Sequence, residues 1–308
     1  MATHSPSLAV ASAIALAALA ASTLLQLQQF DQRVQSIGYR LALHADAYCP
    51  APVPLIGFVV HDLSLYDRAM QAEARAVFGL DDTPHILAVA AGSPAAEAGI
   101  GPEDALVSIA GARVPPPTGA APSFARAEAV DAALAADAAD GALDLGLVRN
   151  GVPRTVHLVL ERGCASRFDV RDDASTDAEA DGRYVQVTAA RVASADSDDG
   201  LAIVLAHELA HNILGHRARL DAEHVRRGML KLFGRNARLT RETELEADRL
   251  SIRLVIAAGY SPDAALAFRR RQWGTLPQQL LRAPTHPGGG ERLAAMEQEV
   301  RSLATGTP

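Results

Sequence analysis

The sequence predicts an α+β chain of two domains, and three observations carry that prediction. Between Leu55 and Leu160 the apolar residues fall in short runs separated by glycine, proline and Asn-Gly, as in a small β-rich domain. After Cys164 the spacing changes: Leu201, Val204, Leu205 and Leu209, and later Leu245, Leu250, Leu254 and Val255, recur at helical intervals. At 308 residues and 49% apolar side chains, the chain is long enough for two cores. The segments are therefore 1–27 as an apolar leader, 28–53 as a helix and Pro-rich linker, 54–163 as the β-rich domain and 164–308 as an α-rich domain with a small edge sheet.

Ser7 to Leu27 is built of Ala, Leu, Val and Ile and carries no charge. Three readings stay open: a secretory signal with small-residue cleavage options near Ala18-Leu19-Ala20, an uncleaved anchor of bilayer-spanning length, or an Ala-rich amphipathic helix. Export is the favoured one, placing the rest of the chain in the periplasm or on the outer side of a membrane that this segment holds. A formal charge of −7 gives no basic surface for nucleic acid or an anionic membrane. Phe30, Val34, Ile37 and Leu41 continue as a helix, and Cys49-Pro50-Ala51-Pro52-Val53-Pro54 is a stiff extended linker. The chain's two cysteines, Cys49 and Cys164, stand at the two ends of one module, and in an exported protein such a pair is most simply a disulfide. The alternative is two unrelated buried thiols.

Leu55 to Val60 reads as a strand with a glycine turn, followed by a helix around Arg68 to Val77 and a strand at His85 to Val89. Gly92-Ser93-Pro94-Ala95-Ala96-Glu97-Ala98-Gly99-Ile100 comes next, then a strand from Asp104 to Ile109. Leu143 to Val148 and Thr155 to Leu160 close a hairpin through Asn150-Gly151. This order resembles a PDZ domain of the bacterial protease type over about residues 54–162, interrupted by a Pro- and Ala-rich insertion near Pro115 to Asp140. The resemblance implies that Ile56, Gly57 and Phe58 form the turn that holds a peptide carboxylate, with the peptide added to a sheet edge. The unit either captures protein tails or serves as a spacer or lid.

Asp172 to Asp181 is acidic and loop-like, and Tyr184 to Thr188 alternates as a strand, placed where an edge strand would pair with substrate or act as scaffold. Ser197, Asp198 and Asp199 are good capping residues for the apolar helix that follows. Within it lies His207-Glu208-Leu209-Ala210-His211, an H-E-x-x-H pattern. Positions i and i+4 share a helix face, so His207 and His211 can hold one metal ion, with Glu208 in reach of a water beside it. Zinc at such a site brings the pKa of its water to roughly 7, where a carboxylate can take the proton. That is the chemistry of zinc-dependent peptide hydrolysis.

H-E-x-x-H with the later Glu244-Leu245-Glu246-Ala247-Asp248 closely resembles the gluzincin family of the CAAX prenyl protease, the HtpX heat-shock protease and their soluble periplasmic relatives. The resemblance runs from about Phe168 to Leu303, without the several hydrophobic spans of the membrane branch. It implies a zincin-type metallopeptidase domain with one zinc per chain, Glu244 as third ligand and Asp248 as the carboxylate that orients a ligating histidine. Helix geometry agrees: Asp248 lies one turn beyond Glu244 on the same face, whereas Glu242 and Glu246 point the other way, to solvent or to arginines such as Arg249 and Arg253. Thr285-His286-Pro287 with Glu291-Arg292-Leu293 resembles a late family element that would bring His286 to the metal as a further catalytic group. His216 and His224 read as solvated helix surface, and His44, His61, His85 and His157 suggest no cluster. The function expected is a zinc metalloendopeptidase acting on unfolded or misassembled envelope proteins. The alternative is a chaperone-like adaptor that binds peptides and keeps a latent zinc site.

Overall fold

The computed structural model describes residues 8–102, 104–117, 122–225, 234–274 and 287–305, with side chains from residue 23 onward. The apolar segment 7–27 therefore lies largely outside the described side chains, as does His286 entirely. Among the described residues no helix is long and apolar enough to cross a membrane. The chain divides into two compact units, residues 1–35 with 56–161 and residues 36–55 with 162–308. Helix α1 (Leu8–Leu43) contributes residues to both.

The first unit is a sheet in the order β2-β3-β4-β6-β7, formed by β2 (Phe58–His61), β3 (His85–Val89), β4 (Asp104–Ile109), β6 (Ala142–Arg149) and β7 (Val152–Val159). Each neighbouring pair is antiparallel, and a short β5 (Ala112–Arg113) folds back on β4. Period-two alternation sends Leu143, Leu145 and Leu147 of β6 and Val156 and Leu158 of β7 into one core with Phe58, Ile86 and Leu106. Asn150 and Gly151, with φ of 51° and 76°, make the two-residue turn that this twisted hairpin requires. Asp104, fully buried, accepts from Arg149 Nε at 2.9 Å and from the Gly101 N–H at 3.0 Å.

Gly57 takes φ of 78°, and its carbonyl accepts the Ala90 N–H at 2.8 Å. Phe58 is buried in the core and Ile56 packs against it, so of these three residues the two side chains serve packing. The Pro- and Ala-rich stretch is not a plain insertion. It carries α4 (Ala125–Asp137), whose Val130 and Leu134, with Ala138 just beyond, recur every four residues and enter the core. Alanine around them masked that stripe in the sequence. Gln28 and Gln32, one turn apart on α1, reach the backbone of β3: Gln28 donates to Leu87 O at 3.1 Å, and Val89 N donates to Gln32 Oε1 at 3.1 Å. Leu24 packs beside them on Ala74 of α2 (Arg68–Phe78) and on Leu80. His61 and His85 face each other across β2 and β3, a buried pair that sequence spacing did not suggest.

The second unit begins inside α1. Gly38 lies against the Phe168 ring, and the Cys164 N–H donates to Ala42 O at 2.9 Å. β1 (Val53–Leu55) pairs with β8 (Glu161–Gly163), so the Pro-rich linker ends in a strand. Cys49 and Cys164 are bonded, with Cα atoms 5.4 Å apart and a sequence separation of 115. Closing so long a loop removes denatured-state entropy worth about 3–5 kcal/mol in the chain-entropy model. Cys49→Ser with Cys164→Ser is expected to lower the stability of this unit by that order in denaturant titration. An unchanged midpoint would show that the bond contributes nothing.

Three strands follow in the order β10-β11-β9: β9 (Arg167–Arg171), β10 (Ala178–Ala180) and β11 (Tyr184–Thr188). β11 runs parallel to β9 and antiparallel to β10, so it is the central strand. The edges are β9 and β10, and β10 lies inside the stretch that reads as an acidic loop. Ala-Glu-Ala has little strand propensity; its antiparallel pairing with β11 holds it, and Thr188 anchors the chain just before it, its hydroxyl accepting the Asp177 N–H at 3.2 Å and donating to Ser175 O at 2.5 Å.

The sheet is followed along the chain by α5 (Ala189–Ser194), α6 (Asp198–Ile213), α7 (His216–Ala222), α8 (Gly234–Ala257), α9 (Pro262–Trp273) and α10 (Gly289–Thr305). Ser197 caps α6 by accepting the Gly200 N–H at 3.1 Å, with Asp198 and Asp199 in the first turn. Residues Leu201 to His207 are all buried, because α6 packs against α8, α9, β10 and β11. Ser261 caps α9, and its own N–H donates to Asp199 Oδ1 at 2.7 Å, tying α9 to the start of α6.

Candidate metal centre

The i, i+4 spacing on α6 brings the two imidazoles of His207 and His211 to ring centroids 4.8 Å apart. Their Nε2 atoms are 3.2 Å apart. From α8, Glu244 closes the triangle, with Oε2 at 3.5 Å from His207 Nε2 and Oε1 at 3.6 Å from His211 Nε2. Among the described residues these three form the one His/Cys/Asp/Glu group of metal-binding proportions. Ligands about 2.0–2.1 Å from a tetrahedral ion are separated by roughly 3.3–3.4 Å. The two nitrogens, 3.2 Å apart, are close to that edge length, while the 3.5 and 3.6 Å distances run to different oxygens of Glu244, so one ligand atom from each residue gathers within 4.8 Å; a two-nitrogen, one-carboxylate set suits a divalent cation of the zinc type.

The charge states of His211 and Glu244 suit ligation as they stand. At His207, burial and Arg292 are outweighed by the neighbouring Asp248 and Glu244, which raise the imidazole, so a metal bound there displaces a proton. Burial, and then the neighbouring His207, hold the His211 imidazole down to about 3, so it is neutral and offers a lone pair. Burial would raise the Glu244 carboxyl, but His207, Arg292 and His211 outweigh it and hold the group far below the ordinary carboxylate range. Burial and the nearby Glu244 raise Glu208, against the pull of His207.

Asp248 lies on the Glu244 face of α8, fully buried, with Oδ1 at 3.1 Å from His207 Nδ1. Arg292 of α10 grips both of its oxygens, Nε to Oδ2 at 2.7 Å and NH2 to Oδ1 at 2.7 Å. Its NH1 is 3.2 Å from Glu244 Oε2, and its NH2 is 3.1 Å from His207 Nε2. One guanidinium therefore ties together a candidate ligand, its supporting acid and a second candidate ligand. Spacing gives no hint of this, since Arg292 is 44 residues from Asp248. Its one signal was the resemblance of Glu291-Arg292-Leu293 to a family element.

Two assignments are corrected. His216 is not surface: it is buried, with Nδ1 at 2.9 Å from His211 Nδ1 and Nε2 at 3.0 Å from Glu246 Oε2. On an unbroken helix, residue 216 would lie about 140° around from residue 211. Gly215, in the left-handed region at φ 62°, ends α6 and starts α7, turning His216 back onto His211. Glu242 and Glu246 do face away from the three candidate ligands and do meet arginine, but the arginines are Arg219 of α7, at 3.8 and 2.8 Å, and Arg238, at 3.8 Å from Glu242, in place of Arg249 or Arg253. Arg253 pairs with Glu299 instead.

The cluster opens into a cleft of about 450 Å³ whose walls include Glu208, Arg191, Arg269, Trp273 and residues 176–180 around β10. Arg269 is buried and donates to Ile203 O at 3.1 Å; burial, with Arg292 close by, pulls it down to about 10. The edge strand that faces this cleft is β10; β11 stands one strand behind it.

Over 122 residues the chain is 30% identical to a protein of Schizosaccharomyces pombe named mitochondrial metalloendopeptidase OMA1. The match covers 33% of this chain and 36% of that protein, so the chain spans about a third of the length of this curated relative. No protein-family model matches the chain.

Proposed function

We propose that this chain is a zinc-dependent metalloendopeptidase of the gluzincin type, holding one zinc ion through His207, His211 and Glu244. The observation that carries the reading is the gathering of two imidazoles and a carboxylate, one ligand atom from each within 4.8 Å, in a cleft that also holds Glu208. The similarity to a fission-yeast metalloendopeptidase supports it. Bound zinc supplies Lewis acidity and a water acidified to near neutrality. β10 offers backbone hydrogen bonds to an extended peptide laid in the cleft. Glu208 takes the proton of the attacking water as its oxygen bonds to the scissile carbonyl carbon. It then delivers that proton to the amine as the C–N bond breaks. His207 is held for its task by Asp248, which is itself held by Arg292.

The proposed substrates are exported proteins that are unfolded or misassembled. The first unit captures their tails at the Ile56-Gly57-Phe58 turn, beside β2, which ends its sheet. The Cys49–Cys164 bond supports an oxidising compartment, and the apolar leader supports export. The test is casein cleavage by the purified full chain. About one zinc per chain is expected, with cleavage lost on chelation and restored by added zinc. Tight peptide binding with no cleavage at full zinc occupancy would favour the adaptor reading instead.

A further inference from the structure

The two candidate ligand histidines are supported differently. His207 Nδ1 meets the carboxylate of Asp248 directly. His211 Nδ1 meets another histidine, and the chain of contacts continues from His216 to Glu246 and from Glu246 to Arg219. Hydrogen-bond logic runs along this chain in one direction. A carboxylate only accepts, so His216 Nε2 carries the hydrogen and donates it to Glu246. The neutral His216 ring then has a bare Nδ1, an acceptor, 2.9 Å from His211 Nδ1. His211 must donate across that contact, so its own hydrogen sits on Nδ1 and its Nε2 is left bare. That Nε2 is the atom facing His207 and Glu244. Arg219 NH1, 2.8 Å from Glu246 Oε2, fixes the far end.

We infer that His216 is a positioning residue for the metal centre: through Glu246 and Arg219 it locks His211 in the tautomer and orientation that present Nε2 to the ion. This deepens the zinc-peptidase reading and rests on it. The arrangement depends on the break at Gly215, without which His216 could not fold back onto the preceding helix.

The test uses the full chain, stripped of metal and titrated with zinc against a chromophoric chelator. His216→Leu fills the buried space but offers no acceptor. His216→Asn places an amide oxygen close to where Nδ1 stands. His216→Leu is expected to weaken zinc binding by roughly 10–100-fold, the size of effect typical for groups that orient a ligand. His216→Asn is expected to recover most of that loss. Cobalt(II) in place of zinc should show visible bands altered in His216→Leu and close to wild type in His216→Asn, since those bands follow ligand geometry. Equal affinity in His216→Leu and wild type overturns the inference, and so do two variants that are equally weak with the same spectrum, because only packing would then be at stake. A wild-type chain that takes up no zinc overturns the peptidase reading and this inference together, an outcome distinct from either of those.

Discussion

Glu208→Gln is expected to keep about one zinc per chain and to lose at least ~100-fold in casein cleavage, the lower end of what general-base catalysis contributes. That loss corresponds to about 2.7 kcal/mol of transition-state stabilisation. Glutamine has the shape of glutamate, so the walls of the cleft are preserved, but its amide cannot hold a proton taken from water. Folding should not suffer. Burial already penalises the ionised form of Glu208, so a neutral isostere removes that cost. The paired readout is metal content and rate on the same sample. A variant that cleaves at the wild-type rate removes Glu208 from the mechanism. One that loses zinc as well would make Glu208 part of the metal site. Because the variant holds substrate without cutting it, it also serves to trap protein tails and fragments for identification.

The helical part of the site was legible because its signals are local. The two histidines of H-E-x-x-H fall on one face of one capped helix, and Glu244 and Asp248 fall on one face of another. The strands of the first unit were legible for the same reason, as β6 and β7 alternate cleanly about an Asn-Gly turn. Illegible parts depend on contacts across long sequence distance or on a broken period. Arg292 acts through tertiary contact with α8 and α6. His216 reads as solvated surface, and its return to His211 depends on Gly215, where the helix ends and a continued helical phase would turn it away. β10 lacks any strand-favouring residue and takes its strand form from pairing with β11, so it reads as loop and leaves β11 standing where an edge strand would be expected. α4 was hidden by alanine, which fits a loop, a helix surface or a core with equal ease.

Glu244→Ala is expected to abolish stoichiometric zinc binding and, with it, peptidase activity, while the metal-free fold survives. Losing the carboxylate leaves two imidazoles, and a site with two protein ligands does not hold zinc as a three-ligand catalytic site does. The fold survives because Arg292, the cation beside Glu244, keeps its two-pronged grip on Asp248 and so is not left buried without a counter-charge. Asp248→Asn should behave differently. It keeps the space filled and one acceptor for His207, but weakens the hold on both His207 and Arg292. Zinc affinity should fall by roughly 10–100-fold, not vanish. Stability should fall too, since a buried guanidinium loses its charge partner. Glu242→Ala is the control within the same motif: that carboxylate faces Arg219 at 3.8 Å, away from the cluster, and zinc occupancy should stay near one. Metal analysis and thermal unfolding of the three variants separate the roles of ligand, supporting acid and outer face. A Glu244→Ala protein with full zinc beside an empty Glu242→Ala protein would mean that the face of α8 assigned to the metal is the wrong one, and the catalytic reading would fall with it.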